Sequence, residues 1–482
     1  MTIDKIDITA TLEQVKELLR TEQGLSPALK AGLETMLLLV TILLNRLGLN
    51  SKNSSKPPAA DPYRAKKPRV STGRKPGGQP GHAGKTLLPV PDPDEITIIP
   101  VNRATLPLGH YRDAGYESRQ VVDLDICKFV VEWRAQVLED EQGKRYVAPF
   151  PEGVTRPVQY GIGIKVNSVY MSLYQLIPYN RVEDHFQEQL DIPVSNGSIG
   201  NFNLEACQRL ERFENWNRQR LMMATVVHAD ETGINIGGKR HWLHSASNDR
   251  HTCYLPHPKR GGETMDAMGI LPEFKGVLCH DHWKPYFQYG ATHALCNAHH
   301  LRELERAREQ DGQQWAEQMA ALLKEINRAT HEAGGRLDIE AAQLYRKRYR
   351  DLLHEAEKEC PPPDESAHKG KRGRTPRSKS RNLLERLRDY ECDVLRFMED
   401  ERVAFSNNQA ENDLRMTKVQ QKISGCFRTI DGAKIFCRIR GYLSTCRKHA
   451  VTATEALRLL FEGKDPHFMS VDSETTDSWQ PR

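Results

Sequence analysis

Val226-Val227-His228-Ala229-Asp230-Glu231-Thr232-Gly233 reads as a buried strand that delivers a carboxylate at its end. Thr225 to Val227 is β-branched, which suits a packed, pleated surface, and Gly233 interrupts the pattern just past the acids. With Thr225 to Asp230 extended, His228 and Asp230 share one face and Glu231 takes the other, because side chains alternate with period two. Asp230 is the first candidate for a metal-holding acid and Glu231 the second. The bland alternative for a single such acid is a solvated turn.

A second copy of the pattern changes that balance. Gly276-Val277-Leu278-Cys279-His280-Asp281 is another short apolar run ending in Asp. Between the two, Arg240 to Ala246 and His251 to Pro256 alternate like strands joined at Asn248-Asp249, and Glu263 to Leu271 reads as a short helix. Strand, strand, strand, helix, strand is the order of a ribonuclease H-like core, a mixed sheet with flanking helices. In that topology the first and fourth strands are neighbours, so Asp230 and Asp281 face each other. An unperturbed Asp pKa of about 3.9 keeps both ionised at neutral pH, and a hard divalent cation relieves their repulsion. The expected third acid is Glu411, in Ser406-Asn407-Asn408-Gln409-Ala410-Glu411. There Ser or Asn caps a helix and the helix dipole favours an acid in the first turn. Glu411, Arg415, Lys418 and Lys422 then share one helix face, a carboxylate followed by a basic stripe suited to phosphate. A salt-bridged solvent face is the alternative.

These residues carry a resemblance. His228-Ala229-Asp230-Glu231-Thr232, His280-Asp281, Cys296-Asn297-Ala298-His299-His300-Leu301-Arg302-Glu303 and Asn407-Asn408-Gln409-Ala410-Glu411 resemble the catalytic blocks of the insertion-sequence 66 family of bacterial transposases. The likeness continues through Gly425-Cys426-Phe427-Arg428 and Phe436 to Tyr442, and upstream to Asn50 to Pro58 and Arg74 to His82. Nearly the whole chain is covered, in order. It implies a DDE transposase with Asp230, Asp281 and Glu411 as catalytic acids and metal ligands. Two departures stand out: Asn412 replaces an Arg common after the catalytic Glu, and the paired cysteines of a zinc ribbon are missing.

The chain has 482 residues, net charge +5 and ten cysteines without a C-x-x-C pair. A pI near 8.6 and a mean hydropathy of -0.64 make it modestly basic and polar. The length suggests about three domains. Reduced thiols and no secretory signal point to a cytoplasmic protein, associated with the nucleoid when bound to DNA. Residues 10 to 47 read as helical. Met36 to Leu44 is apolar but shorter than the roughly 20 residues of a bilayer span, which argues against a membrane role. Residues 1–50 are thus a helical oligomerisation segment, or a helix packed on the body. Residues 51–90 form a basic Pro/Gly-rich linker, in which Lys66, Lys67, Arg74 and Lys75 neutralise DNA phosphates or merely keep the linker soluble.

Residues 91–160 read as a degenerate ribbon-like β module, with strands at Glu95 to Val101 and Lys128 to Val137. Cys127 alone cannot supply four zinc ligands, so no zinc is expected. Residues 161–215 are helical: Asn180 to Leu190 and Gly197 to Leu210 form either a helix-turn-helix, with Asn201 and Asn203 reaching base edges, or a packed hairpin. Residues 216–300 and 401–450 are the two parts of the catalytic core, ended by a tail at 451–482. Trp283 to Tyr289 reads as a short helix and His293 to Cys296 as a last strand. Residues 301–400 are an α-helical insertion, with a basic loop at Cys360 to Arg381 that grips DNA or stays on the surface. Cys296 and His299 match the Cys or Asp, two residues, His signature of several transposase groups, read as orienting the site in preference to ligation. His282, His299 and His300 are secondary candidates for phosphate or general acid/base work.

The expected mechanism uses Mg²⁺ or Mn²⁺, two ions roughly 3.5 to 4 Å apart, to activate water and stabilise the leaving 3′ oxygen. The released 3′-hydroxyl then attacks target DNA. Transposon ends and target DNA are the expected partners, with a homo-oligomer and accessory proteins of the same element. A nuclease of the same fold and a catalytically inactive or repurposed DNA-binding protein derived from a transposase are the competing readings.

Overall fold

The computed structural model describes residues 2–3, 6–22, 24–47, 53, 87–124, 126–363, 375 and 377–474. The chain divides into two compact units. One comprises Met1–Arg64, Pro151–Asp184 and Val194–Arg482; the other comprises Ala65–Phe150 with His185–Pro193.

In chain order, the short pair β1 (Thr2–Ile3) and β2 (Ile6–Asp7) precedes α1 (Ile8–Thr21) and α2 (Pro27–Leu47). The stretch over 10 to 47 that reads as helical is two helices, separated at the turn-forming stretch Gly24 to Ser26. In the second unit the expected strands Glu95 to Val101 and Lys128 to Val137 are absent. The regular pairing among its described residues is a hairpin of β3 (Val137–Glu139) and β4 (Arg145–Val147). Isoleucine and valine there stay exposed, Ile99 at 86% and Val121 at 92%, so no buried face selects an extended ladder.

The main body continues with α3 (Ile162–Val169) and a π turn at Tyr170–Tyr174. α4 (Tyr179–Leu190), α5 (Asn196–Arg209) and α6 (Glu211–Met222) follow. Next come β5 (Val226–Ile236), β6 (Lys239–Ser247), β7 (Thr252–His257), α7 (Gly262–Met268), β8 (Val277–His280), a 3-10 turn at Lys284–Gln288, and β9 (Thr292–Leu295). Helices α8 (Asn297–Asp311), α9 (Gln314–Glu332), α10 (Ile339–Glu359), α11 (Lys379–Asp389) and α12 (Glu391–Leu395) precede α13 (Asn408–Ser424). The chain ends in α14 (Ile430–Lys448), α15 (Ala453–Phe461) and α16 (His467–Glu474). The protein is a mixed α/β molecule around one five-stranded mixed sheet.

The sheet order is β7-β6-β5-β8-β9, antiparallel between β7, β6 and β5 and parallel between β5, β8 and β9. The strand that carries Asp230, β5, and the strand that Asp281 follows, β8, are adjacent, as the sequence pattern predicts. Alternation sorts their side chains between two cores. Val226, Val277 and Cys279 join the helical side with Leu304, Met319, Leu323, Tyr349, Leu384 and Leu395. Val227, Ala229 and Leu278 join the other, with Met265, Phe274 and Tyr286. Helices α8 to α12 thus share one continuous core with β5, β8 and β9.

Gly276 lets the fourth strand enter this sheet. A Cβ there would lie 2.6 Å from the carbonyl oxygens of Ala224 and Thr225 and from the Phe274 ring, while Val277 N–H bonds Thr225 O at 2.8 Å. Gly276→Ala is expected to destabilise the protein by about 3 kcal/mol, read from urea midpoints, because backbone has to move. An unchanged midpoint would contradict the close approach.

Helix α2 is long and apolar enough to cross a bilayer by length and composition, over Pro27–Arg46 with a mean hydropathy of 1.7. The run Met36 to Leu44 is the apolar centre of this longer helix. Leu29, Met36, Val40 and Leu43 are exposed on it.

Candidate active site

Pairing between β5 and β8 runs Val226 with Val277, Val227 with Leu278 and His228 with Cys279, and stops there. Asp230 and Asp281 each lie two residues beyond the last pair, level with one another across the place where the strands part. Asp230 is not at a strand end, as the sequence suggested. β5 continues to Ile236 because its far half pairs with β6, with Asp230 opposite Ser245. Gly233 sits inside that ladder, where a Cβ would lie 3.3 Å from the Arg240 guanidinium.

Alternation separates the two neighbouring acids. Glu231 turns to the face of Tyr286, whose hydroxyl donates to it at 2.7 Å, and Arg260 donates to its other oxygen at 2.6 and 2.9 Å. Arg260 is itself held between the rings of Trp242 and Trp283, 4.7 and 4.2 Å from their centroids. Glu231 is therefore a tied, buried carboxylate. Asp230 faces the helical side, and burial, then the charges of Glu231 and Asp281, push it up to about 8; its bond from the Glu231 amide and the nearby His299 oppose this. Burial and Asp281 raise Glu231 as well, against its Tyr286 and Arg260 bonds. The buried Asp230 thus feels the charges of both Glu231 and Asp281.

Asp281 accepts from the Trp283 amide at 3.0 Å, closing a tight turn. The residue between them, His282, has φ +71°, a left-handed backbone uncommon outside glycine and a frequent mark of functional strain. Its ring stands on Tyr390 at 4.5 Å and on Phe287 at 5.1 Å. That packing, with burial as the first cause, lowers it to about 3. The His282 ring is therefore packed among aromatic side chains and held toward its neutral form.

Asn407 joins the strand to the third acid. It does not cap α13 with its side chain; instead it bonds His228 Nδ1 at 2.8 Å and donates to Ala229 O at 2.8 Å. Its own amide points at Cys296 Sγ, 3.1 Å away. Glu411, in the first turn of α13, lies 3.6 Å from the Arg302 guanidinium and 3.9 Å from His299 Nδ1. Among the described residues, ligand atoms of Cys296, His299 and Glu411 lie within 4.8 Å of one another. Glu411 thus stands with α8, not in a closed trio with Asp230 and Asp281. Burial pulls His299 down, yet the hydrogen bond and charge of Cys296, then Asp281, bring it up to about 9.

The remaining expected residues divide. Arg415 and Lys422 are exposed on α13. Lys418 is half-buried and donates to Gly233 O at 2.6 Å, and burial lowers it, so it ties α13 to β5 and is withdrawn from the basic stripe. Asn201 is exposed. Asn203 is buried, bonding the Tyr179 hydroxyl at 2.7 Å and Ser172, so it cannot reach a base edge. His300 is buried on Asn297 at 3.0 Å, and burial holds it far down. In the basic loop, Arg377 pairs with Glu385 and Arg381 with Glu357 and Glu385, within the helical layer. Lys66, Lys67, Arg74, Lys75 and the middle of that loop lie outside the described residues.

The sequence reading missed Arg260 and Arg302. Arg302 had a signal: it follows His299 by three residues, one turn of the same helix face. Arg260 had none, since its loop carries no periodicity.

Residues 157–435 match the Transposase IS66 family, and residues 4–87 match a family of unknown function (DUF6444). No curated protein matches the chain.

Proposed function

The chain belongs to the IS66 family of transposases, and from that premise we propose that it is a DNA transposase acting through Asp230, Asp281 and Glu411 on a ribonuclease H-like core with a helical insertion. It binds the ends of its element, cuts there and joins the freed 3′-hydroxyl to target DNA. The observation that carries this reading is the corner formed by Asp230 and Asp281. Two carboxylates level with each other at a parted strand pair, one raised to about 8 by burial and then by its charged neighbours, are a donor set suited to a cation.

Oxygen donors of this kind fit Mg²⁺ or Mn²⁺, which Asp230, Asp281 and Glu411 would hold. When bound, the cation supplies Lewis-acid stabilisation to the phosphate and leaving oxygen. The protein does the rest. Asn407 fixes α13 against β5, the Glu231–Arg260–Tyr286 cluster fixes the strand from its other face, and Arg302 holds the Glu411 carboxylate near the corner. Arg415 and Lys422, exposed one turn and three turns on from Glu411, steer the phosphate backbone together with Lys66, Lys67, Arg74 and Lys75 of the linker, while the exposed Asn201 reaches base edges. The exposed Leu29, Met36, Val40 and Leu43 of α2 form a seam for a second copy, as an end-bridging oligomer requires. We place it in the cytoplasm, with transposon-encoded accessory proteins as further partners.

The test is nicking of supercoiled plasmid carrying the element's ends. Wild type should cut with Mg²⁺ or Mn²⁺ and stop with chelator. Asp281→Ala and Glu411→Ala should each fall by about a thousandfold or more, since members of a catalytic set fail singly. Activity that survives Glu411→Ala would remove the third ligand. End binding without cutting by wild type would instead favour a silent DNA-binding protein.

A further inference from the structure

We infer that Cys296, His299 and Glu411 form a second cation site, for a borderline-soft divalent ion of the zinc class. This departs from the sequence reading, which took one Cys and one His as orienting the site in preference to ligation. The fold supplies a third from a distant helix. Cys296 stands at the N-cap of α8 and His299 one turn inside it, while Glu411 comes from the first turn of α13. Their sulfur, nitrogen and oxygen donors lie within 4.8 Å of one another.

Three further observations point to a ligand there. His299 Nδ1 and Glu411 Oε1, 3.9 Å apart, are both atoms shielded from solvent that lack a hydrogen-bond partner. The Asn407 amide aims at Cys296 Sγ from 3.1 Å, the kind of second contact that orients and stabilises a ligating thiolate. Thiolate, imidazole and carboxylate together select zinc over magnesium, and three protein donors leave a fourth position open. Arg302 competes for the same Glu411 oxygen at 3.6 Å, so loading has to displace that contact.

The site stands on this geometry alone, but its consequence rests on the proposed function. Glu411 is shared, so an ion drawn to Cys296 and His299 holds the third acid away from Asp230 and Asp281. Zinc is then an inhibitor of Mg²⁺-dependent nicking.

The experiment titrates Co²⁺ into the full-length, chelator-stripped, reduced protein and reads thiolate-to-cobalt charge transfer in the near ultraviolet. A one-to-one band that Zn²⁺ displaces is expected, lost in Cys296→Ser and His299→Gln and kept in Cys426→Ser and Asp230→Ala. Circular dichroism on each variant separates loss of ligand from loss of fold. No band in wild type, or a band that persists in folded Cys296→Ser, overturns the site; if Cys296→Ser is unfolded, His299→Gln decides in the same way. Nicking is measured in parallel. A cobalt band in a protein that never nicks keeps the site and sinks the transposase reading, whereas nicking unaffected by zinc at saturating cobalt-site occupancy sinks the competition for Glu411.

Discussion

Asp230→Asn is expected to silence nicking and, at the same time, to stabilise the metal-free protein. The two effects have one cause. Asp230 is raised to about 8 by burial and by Glu231 and Asp281, whereas in the unfolded chain it titrates near its ordinary value. Between those two values the native state keeps a proton that the unfolded state releases. Stability is therefore lost as pH climbs from about 4 to about 8. Asparagine keeps the shape, carries no charge and removes the repulsion. Because water reaches part of the side chain, the gain near pH 8 is set at about 2 kcal/mol, well under the full value of the shift. Mg²⁺ should raise the melting temperature of wild type near pH 8 and leave the variant unchanged. A variant that melts lower than wild type without metal would mean that Asp230 is not strained by its neighbours.

The second large effect concerns Asp413, two residues from Glu411 and opposite to it in role. Its carboxylate pairs at 3.1 Å with Lys448, and both side chains are nearly buried, at 12 and 14% exposure. Lys448 also donates to Asn248 O at 2.7 Å and Thr252 Oγ1 at 2.6 Å, so one ammonium stitches α13 and α14 to the β6–β7 turn. Asp413→Ala leaves that ammonium buried with neutral partners, and should destabilise by roughly 3 kcal/mol. Adding Lys448→Met should return most of the loss, because the stranded charge and not the missing attraction dominates it. Nicking by Asp413→Ala at a temperature where it stays folded should persist. Denaturant curves on the two variants decide this, and a double variant no better than the single one would refute the account.

What could be read from the chain was what depends on local period. β-branched runs ending in acids placed the first and fourth strands, and turn residues at Asn248 and Asp249 placed the hairpin between them. Alternation put Asp230 and Glu231 on opposite faces, and the structure gives them different surroundings for that reason. Contacts between distant segments were not legible. Nothing local says that Asn203 bonds Tyr179, that Lys418 bonds a carbonyl of β5, or that Asn407 turns away from its own helix to hold His228. The exposed strands expected near residues 95 to 137 failed for a related reason: β-branched residues without a partner face do not make a sheet.

The backbone amide of Asn297 bonds the carbonyl of Phe405 at 3.1 Å, so the chain that departs at the start of α8 comes back to its own point of departure just before Asn407. Helices α8 to α12 are a detour whose entrance and exit coincide. Lengthening or shortening the connections far from that junction leaves the spacing of Asp230, Asp281 and Glu411 untouched.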